Sequence, residues 1–132
     1  MTLRSYKNIY DACVQFSQDE SIKTIVDVGA RHGEGYELFG IYHSDASYTF
    51  VEPSNRCLPN INQLIRKYPE ANLKLIDGVL GTSNGKIKFY QLENDDDQSG
   101  NLFSNRNGQY GSSSECVVKT YDYRSIFTHI DF

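Results

Sequence analysis

The stretch Thr24-Ile25-Val26-Asp27-Val28-Gly29-Ala30-Arg31-His32-Gly33-Glu34-Gly35 decides the fold. Its first five residues are short, β-branched and apolar on both faces, the composition of a strand buried in the middle of a parallel sheet. Three glycines then punctuate a turn, and Glu34 to Tyr42 can wind the first turns of a helix. A ligand laid across the carboxyl end of such a strand needs a backbone that approaches closely. It also needs turn angles that a side chain opposes; glycine meets both needs. A helix starting near Gly33 points its free N–H groups at the same place.

The spacing separates two ligand classes. A dinucleotide fingerprint reads G-x-G-x-x-G, but Gly29 is followed by Ala30 and Arg31, so the second glycine is missing. The Gly-Lys-Ser/Thr ending of a P-loop is also missing. Asp27, two positions before the first glycine, repels a diphosphate but attracts an ammonium directly or through water. A ligand carrying an amino-acid moiety is therefore favoured over NAD.

Working outward, Ser47 to Val51 predicts a second strand that must leave the sheet at Glu52-Pro53, because proline cannot continue a central strand. Ser54 or Asn55 is the expected cap of a helix covering Leu58, Ile61, Leu64, Ile65 and Tyr68, closed by Pro69. Leu73 to Ile76 predicts a third strand, with Asp77-Gly78 at its end. Upstream, Tyr6, Ile9, Tyr10, Cys13 and Phe16 recur at helical steps over residues 3–17. Strand, helix, strand, helix, strand is the pattern of a doubly wound α/β sheet. Glu52 lies 25 residues after Asp27. On the neighbouring strand its carboxylate borders the same crevice, where it can accept both hydroxyls of a ribose. Asp77 and Gly78 are placed to meet the edge of an adenine ring, with Val79 and Leu80 as apolar packing.

Beyond residue 81 the pattern changes. Lys86 to Tyr90 alternates with period two after the tight-turn pair Asn84-Gly85, and Val117 to Tyr121 reads as a partner strand. Residues 93–115 between them are polar and predict a long loop. Within it, Gln98 to Phe103 is a candidate substrate flap with Leu102 and Phe103 as its apolar underside. The chain divides into an N-terminal helix (1–20), a ligand-binding unit (21–81), added strands (82–123) and the start of a further unit (124–132).

Composition bounds the partners. Hydrophobic residues make up 39% and charged residues 23% of 132, which is globular. The formal charge is -4 with no basic block, so nucleic acid is not favoured, while a small neutral or cationic ligand is compatible. Cys13, Cys57 and Cys116 form no CxxC pair and read as small buried or half-buried hydrophobes. His32, His43 and His129 show no metal-ligand spacing; His32, alone in a loop, reads as solvated, and no catalytic base can be nominated. No signal peptide or membrane-length apolar run is present, which makes the expected location cytoplasmic.

Val26 to Ala30, Phe50-Val51-Glu52-Pro53, Gly78 to Gly81, Gly85 to Tyr90 and Val118 to Asp122 occur in this order, and together they resemble the FkbM family of methyltransferases. The similarity spans residues 22–132. It implies a Rossmann-like class I methyltransferase fold, in part: three parallel strands with flanking helices, plus an added hairpin-like pair. It also implies S-adenosylmethionine as methyl donor and O-methylation of a hydroxyl on a small metabolite or saccharide. Asp27, Gly29, Ala30 and Gly33 match the donor-binding turn, Glu52 the ribose-binding acid, and Asp77-Gly78 the adenine contact. Arg31 departs from the Asn common there in the family. Two other readings stand beside this one: a non-catalytic α/β interaction module, and a domain for a different adenosine-containing cofactor. The resemblance further implies a fourth core strand beyond Phe132, whose place lies against residues 25–28. An unpaired edge there predicts a homodimer, or cover by a terminal segment. A strict monomer in sedimentation, with rapid amide exchange along residues 24–28, would count against pairing through that edge.

Overall fold

The structure, a computed structural model, describes residues 12, 15, 19, 21–92, 100–101 and 113–127. Strands β1 (Thr24–Val28), β2 (Ser47–Val51) and β3 (Leu73–Ile76) form a parallel sheet in that order. Between β1 and β2 run helix α1 (Glu34–Leu38) and a 3₁₀ turn (Gly40–Tyr42); helix α2 (Leu58–Lys67) joins β2 to β3. The fold is mixed α/β, a three-stranded parallel sheet with flanking helices.

Register pairs Asp27 with Phe50 and Phe50 with Leu75, so these residues share one face. Against that face pack Tyr36 from α1 and Ile61 and Leu64 from α2. Phe50 and Ile61 are fully buried, each worth about 1.5–3 kcal/mol on transfer from water. Tyr36 meets Tyr48 and Tyr68 edge-on, with ring centroids 5.3 and 5.2 Å apart. Tyr36, Tyr48 and Tyr68, far apart along the chain, thus meet at the core.

Three expectations are corrected here. The central strand is β2, and β1 lies at the sheet's edge among the described residues, with Val28 58% exposed. The helix expected over residues 34–42 breaks at Phe39. A Cβ on Gly40 would fall onto the Tyr48 ring, and the chain crosses that ring as a 3₁₀ turn. Helix α2 is capped neither by Ser54 nor by Asn55. It starts at Cys57 without a side-chain cap, with a proline in its first turn. The Ser54 carbonyl accepts from the Cys57 and Leu58 N–H groups, and its hydroxyl accepts from Gln91 at 2.6 Å.

A second sheet has the order β4 (Val79–Gly81), β7 (Ser113–Asp122), β5 (Gly85–Leu92), β6 (Gly100–Asn101). The expected pair is present as β5 and β7, antiparallel and longer than its hydrophobic cores suggest. Strand β4 runs parallel to β7 and β6 antiparallel to β5. Residues 100–101 and 113–115 therefore belong to strands and not to the expected loop. The rest of that loop, the flap residues Leu102 and Phe103, Cys13, and residues 128–132 lie outside the described residues. So does the N-terminal helix except Ala12 and Gln15, both helical. A short helix α3 (Tyr123–Ile126) follows β7, capped by Asp122, which accepts from the Arg124 N–H at 3.0 Å. Among the described residues no helix is long and apolar enough to cross a membrane.

Gly29 and Gly33 both have left-handed backbone angles, φ +77° and +85°, but different surroundings. A Cβ on Gly29 meets open space, whereas one on Gly33 lies 3.0 Å from Leu64 Cδ2 and 3.3 Å from Phe50 Cε1. Gly33→Ala is therefore expected to cost more than Gly29→Ala. The strain alone is about 1–2 kcal/mol at each site, and crowding adds to it only at Gly33. Urea denaturation of both variants checks this; equal losses would remove the packing contribution.

Candidate functional site

Three residues, each the first beyond a strand, stand in a row at the carboxyl end of the parallel sheet. The Gly29 and Ala30 N–H groups both donate to the Val51 carbonyl, at 2.9 and 3.2 Å, and the Glu52 N–H donates to the Ile76 carbonyl at 3.1 Å. These bonds set Gly29, Glu52 and Asp77 side by side. In an open α/β sheet this is the edge where ligands bind.

The turn after β1 alternates its handedness: Gly29, Arg31 (φ 53°) and Gly33 all have positive φ. An arginine in that region is uncommon, and here the conformation aims its N–H at a carboxylate. Arg31 N donates to Glu52 Oε2 at 2.8 Å, and Ser54 N donates to Glu52 Oε1 at 2.8 Å. Each oxygen thus accepts one backbone bond and keeps a further acceptor direction. Glu52 is only 5% exposed. Burial pushes its carboxyl above the ordinary value, against the pull of the two N–H groups and of the nearby His32 and Arg31 charges.

Asp27 is held differently. Its Oδ2 accepts from the Tyr48 hydroxyl at 2.8 Å and lies 2.8 Å from where a Cβ on Gly35 would stand. The half-buried carboxylate therefore sits beneath the start of α1, bonded to β2, and not free in an open crevice. Burial raises its pKa first, the Tyr48 hydrogen bond opposes, and the Glu34 charge adds to the rise.

The other expected residues divide in two. Asp77 is exposed at the end of the row. Ala30, Gly33 and Gly78 are buried and used internally. Ala30 is 4% exposed within the core cluster, and the Gly33 N–H donates to its carbonyl at 2.8 Å. Gly78 lies under β7, where a Cβ would strike the Lys119 carbonyl and the Tyr121 ring. Close packing of two sheets, with no ligand involved, suffices to require a glycine there. His32 is half-buried, its Nδ1 2.6 Å from Asn60 Nδ2. It borders an open cleft of about 570 Å³ shared with Glu37, Gln63, Arg66 and Lys67. None of Gly29, Glu52 or Asp77 lines that cleft.

Tyr48, Ser54 and Gln91 bear on the two carboxylates and were missed by reading the sequence. For Gln91 a signal existed: it stands two residues past Phe89 on the same side of the strand, so its polar side chain shares a buried face. Tyr48 meets Asp27 across 21 residues, and the Ser54 hydroxyl, beside the local N–H bond to Glu52, meets Gln91 across 37; no local pattern reports these two contacts.

No family model matches the sequence, and no curated protein matches it. Among solved structures, a methyltransferase FkbM from Methylobacillus flagellatus KT is similar at 18% identity with a TM-score of 0.44. The likeness covers 50% of this chain and 19% of that one.

Because folding raises the carboxyl of Asp27, the stability linked to it is full below the unfolded pKa. It is lost as pH rises through the folded value. Asp27→Asn keeps an acceptor for Tyr48 and cannot ionise. Its melting temperature is expected to exceed that of the unsubstituted protein by a few degrees at pH 7 and to lose that advantage near pH 3. A variant melting lower at neutral pH would overturn the assignment of Asp27 as a strained anion.

Proposed function

We propose that this chain is the donor-binding part of an S-adenosylmethionine-dependent methyltransferase of the FkbM kind, acting on a hydroxyl of a small metabolite or saccharide. The observation that carries the reading is the Glu52 carboxylate, fixed by two backbone N–H groups at 2.8 Å in the row between Gly29 and Asp77. Its remaining acceptor directions suit the paired hydroxyls of a ribose, and its donors are already in place before any ligand arrives.

The surroundings fit the rest of the donor. Above Gly29 nothing lies within 4 Å of the Cβ direction, so a ligand can approach the backbone there. Asp27 lies beneath the start of α1, where burial and the Glu34 charge both raise its carboxyl; an ammonium on the ligand side of the turn would be drawn to it across that turn and not by direct contact. The adenine is assigned to Asp77, exposed beyond β3. When bound, S-adenosylmethionine supplies an activated methyl group on its sulfonium sulfur. Asp27 on the amino-acid tail and Glu52 on the sugar would be the residues of this chain that hold and orient it. Alignment of that kind supplies several kcal/mol of a transfer barrier. The edge of β1, unpaired among the described residues, is proposed to join two copies in a homodimer. The setting proposed is cytoplasmic.

Titration calorimetry with S-adenosylmethionine, S-adenosylhomocysteine and NAD tests the assignment: the first two are expected to bind saturably and NAD not. Glu52→Gln puts an NH₂ group against a backbone N–H donor and is expected to weaken S-adenosylhomocysteine roughly 10–100-fold. Absence of binding by all three compounds would favour a non-catalytic α/β interaction module.

A further inference from the structure

Gln91 is an anomaly in its strand. It sits on the inward side of the β5–β7 hairpin with Phe89 and Val118, and is 4% exposed where an apolar side chain would bury more cheaply. Its amide Nε2 donates to Ser54 Oγ at 2.6 Å, a contact across 37 residues. Ser54 is itself 1% exposed, and its N–H is one of the two that hold Glu52. Every polar atom of Ser54 is thereby engaged. The N–H binds Glu52, the hydroxyl accepts from Gln91 and also meets the Cys57 thiol, and the carbonyl accepts the Cys57 and Leu58 N–H groups that lead into α2.

We infer that Gln91 is a positioning residue for Glu52, acting through Ser54, so that the second sheet fixes the carboxylate at the end of the first. The inference rests on the reading of Glu52 as the ribose acid, and it adds the element that orients that acid. With the Gln91 donor in place, the Ser54 side chain is tied across to β5 at its oxygen, which holds the residue where its N–H meets Glu52 Oε1. Held from that side, the carboxylate keeps Oε2 on the Arg31 N–H at 2.8 Å. Without the donor, the Ser54 oxygen is left without that partner and the residue can shift, and the carboxylate loses the anchor that presents its free acceptor directions to a diol. Buried networks of this kind couple their members because no water is present to replace a lost partner.

The alternative role for Gln91 is to pin the hairpin to the body with no effect beyond Ser54. The two roles differ at Arg31, which lies on the far side of Glu52 and belongs to neither Ser54 nor the hairpin. Gln91→Met keeps length and removes the donor. By nuclear magnetic resonance, amide exchange at Ser54 and also at Arg31 is expected to accelerate by about tenfold in this variant, while Phe50 keeps its protection. In parallel, the preference for S-adenosylhomocysteine over its 2′-deoxyribose analogue is expected to shrink by about tenfold. Unchanged exchange at Arg31, or equal acceleration throughout β2, overturns the positioning role. Should the unsubstituted protein fail to bind S-adenosylhomocysteine, the methyltransferase reading falls, and the Arg31 amide still decides the relay. If Gln91→Met does not fold, Ser54→Ala removes the acceptor from the other end and must produce the same change at Arg31.

Discussion

One carbonyl organises this end of the molecule. When the chain leaves β1 at Gly29, its next N–H groups lose their strand partners and must be satisfied elsewhere. The Val51 carbonyl takes both, from Gly29 and Ala30, using its two lone pairs. That double acceptance bends the chain over the end of β2 and brings the Arg31 N–H onto Glu52. The reference point is rigid, since Phe50 and Val51 are at most 1% exposed in the central strand. The turn and the carboxylate are therefore one object, and neither can move without the other.

That object is costly to keep folded. Asp27 and Glu52 are both carboxyls that burial pushes up, so each ionises against the preference of its surroundings. Tyr48 offsets part of this for Asp27, and the Arg31 and Ser54 N–H groups offset part for Glu52. Interior positions with no task beyond packing are filled differently: Ile61 and Phe50 meet the same crowding with apolar side chains. Two compensated anions at one end of a sheet, with an open approach above Gly29, are the features on which the proposed ligand site rests.

The sequence made β2, β3 and the existence of α2 legible because each is a periodic apolar run bounded by glycine or proline. It also located Glu52 and Asp77 correctly beyond their strands. What it hid depends on contacts distant along the chain. Ser54 has the chemistry of a helix cap, but Gln91 claims its hydroxyl, and α2 begins three residues later than a local reading places it. Nothing next to Tyr36 in the sequence fixes the way it faces; packing against Tyr48, Phe50 and Tyr68 turns it to the sheet. Strand β4 has three residues and no periodicity to detect, and only β7, about forty residues on, makes it a strand. The polar residues Ser113 to Glu115 are strand because β5 pairs with them.

Gly78 shows how the two sheets depend on each other. The chain passes from β3 to β4 through Asp77 and Gly78 alone, and it can do so only where β7 approaches closer than any side chain allows. A glycine read as open to a ligand thus serves as the joint between sheets. The consequence reaches the site itself, because the direction in which Asp77 leaves β3 is dictated by where β7 receives Gly78. Gln91 makes a second tie from the same hairpin to Ser54 beside Glu52. Two of the three residues in the row are therefore oriented by strands that follow them in the chain. The strand–helix–strand unit places its residues at the sheet's edge, and the added sheet is tied to it beside two of them, at Gly78 and at Ser54.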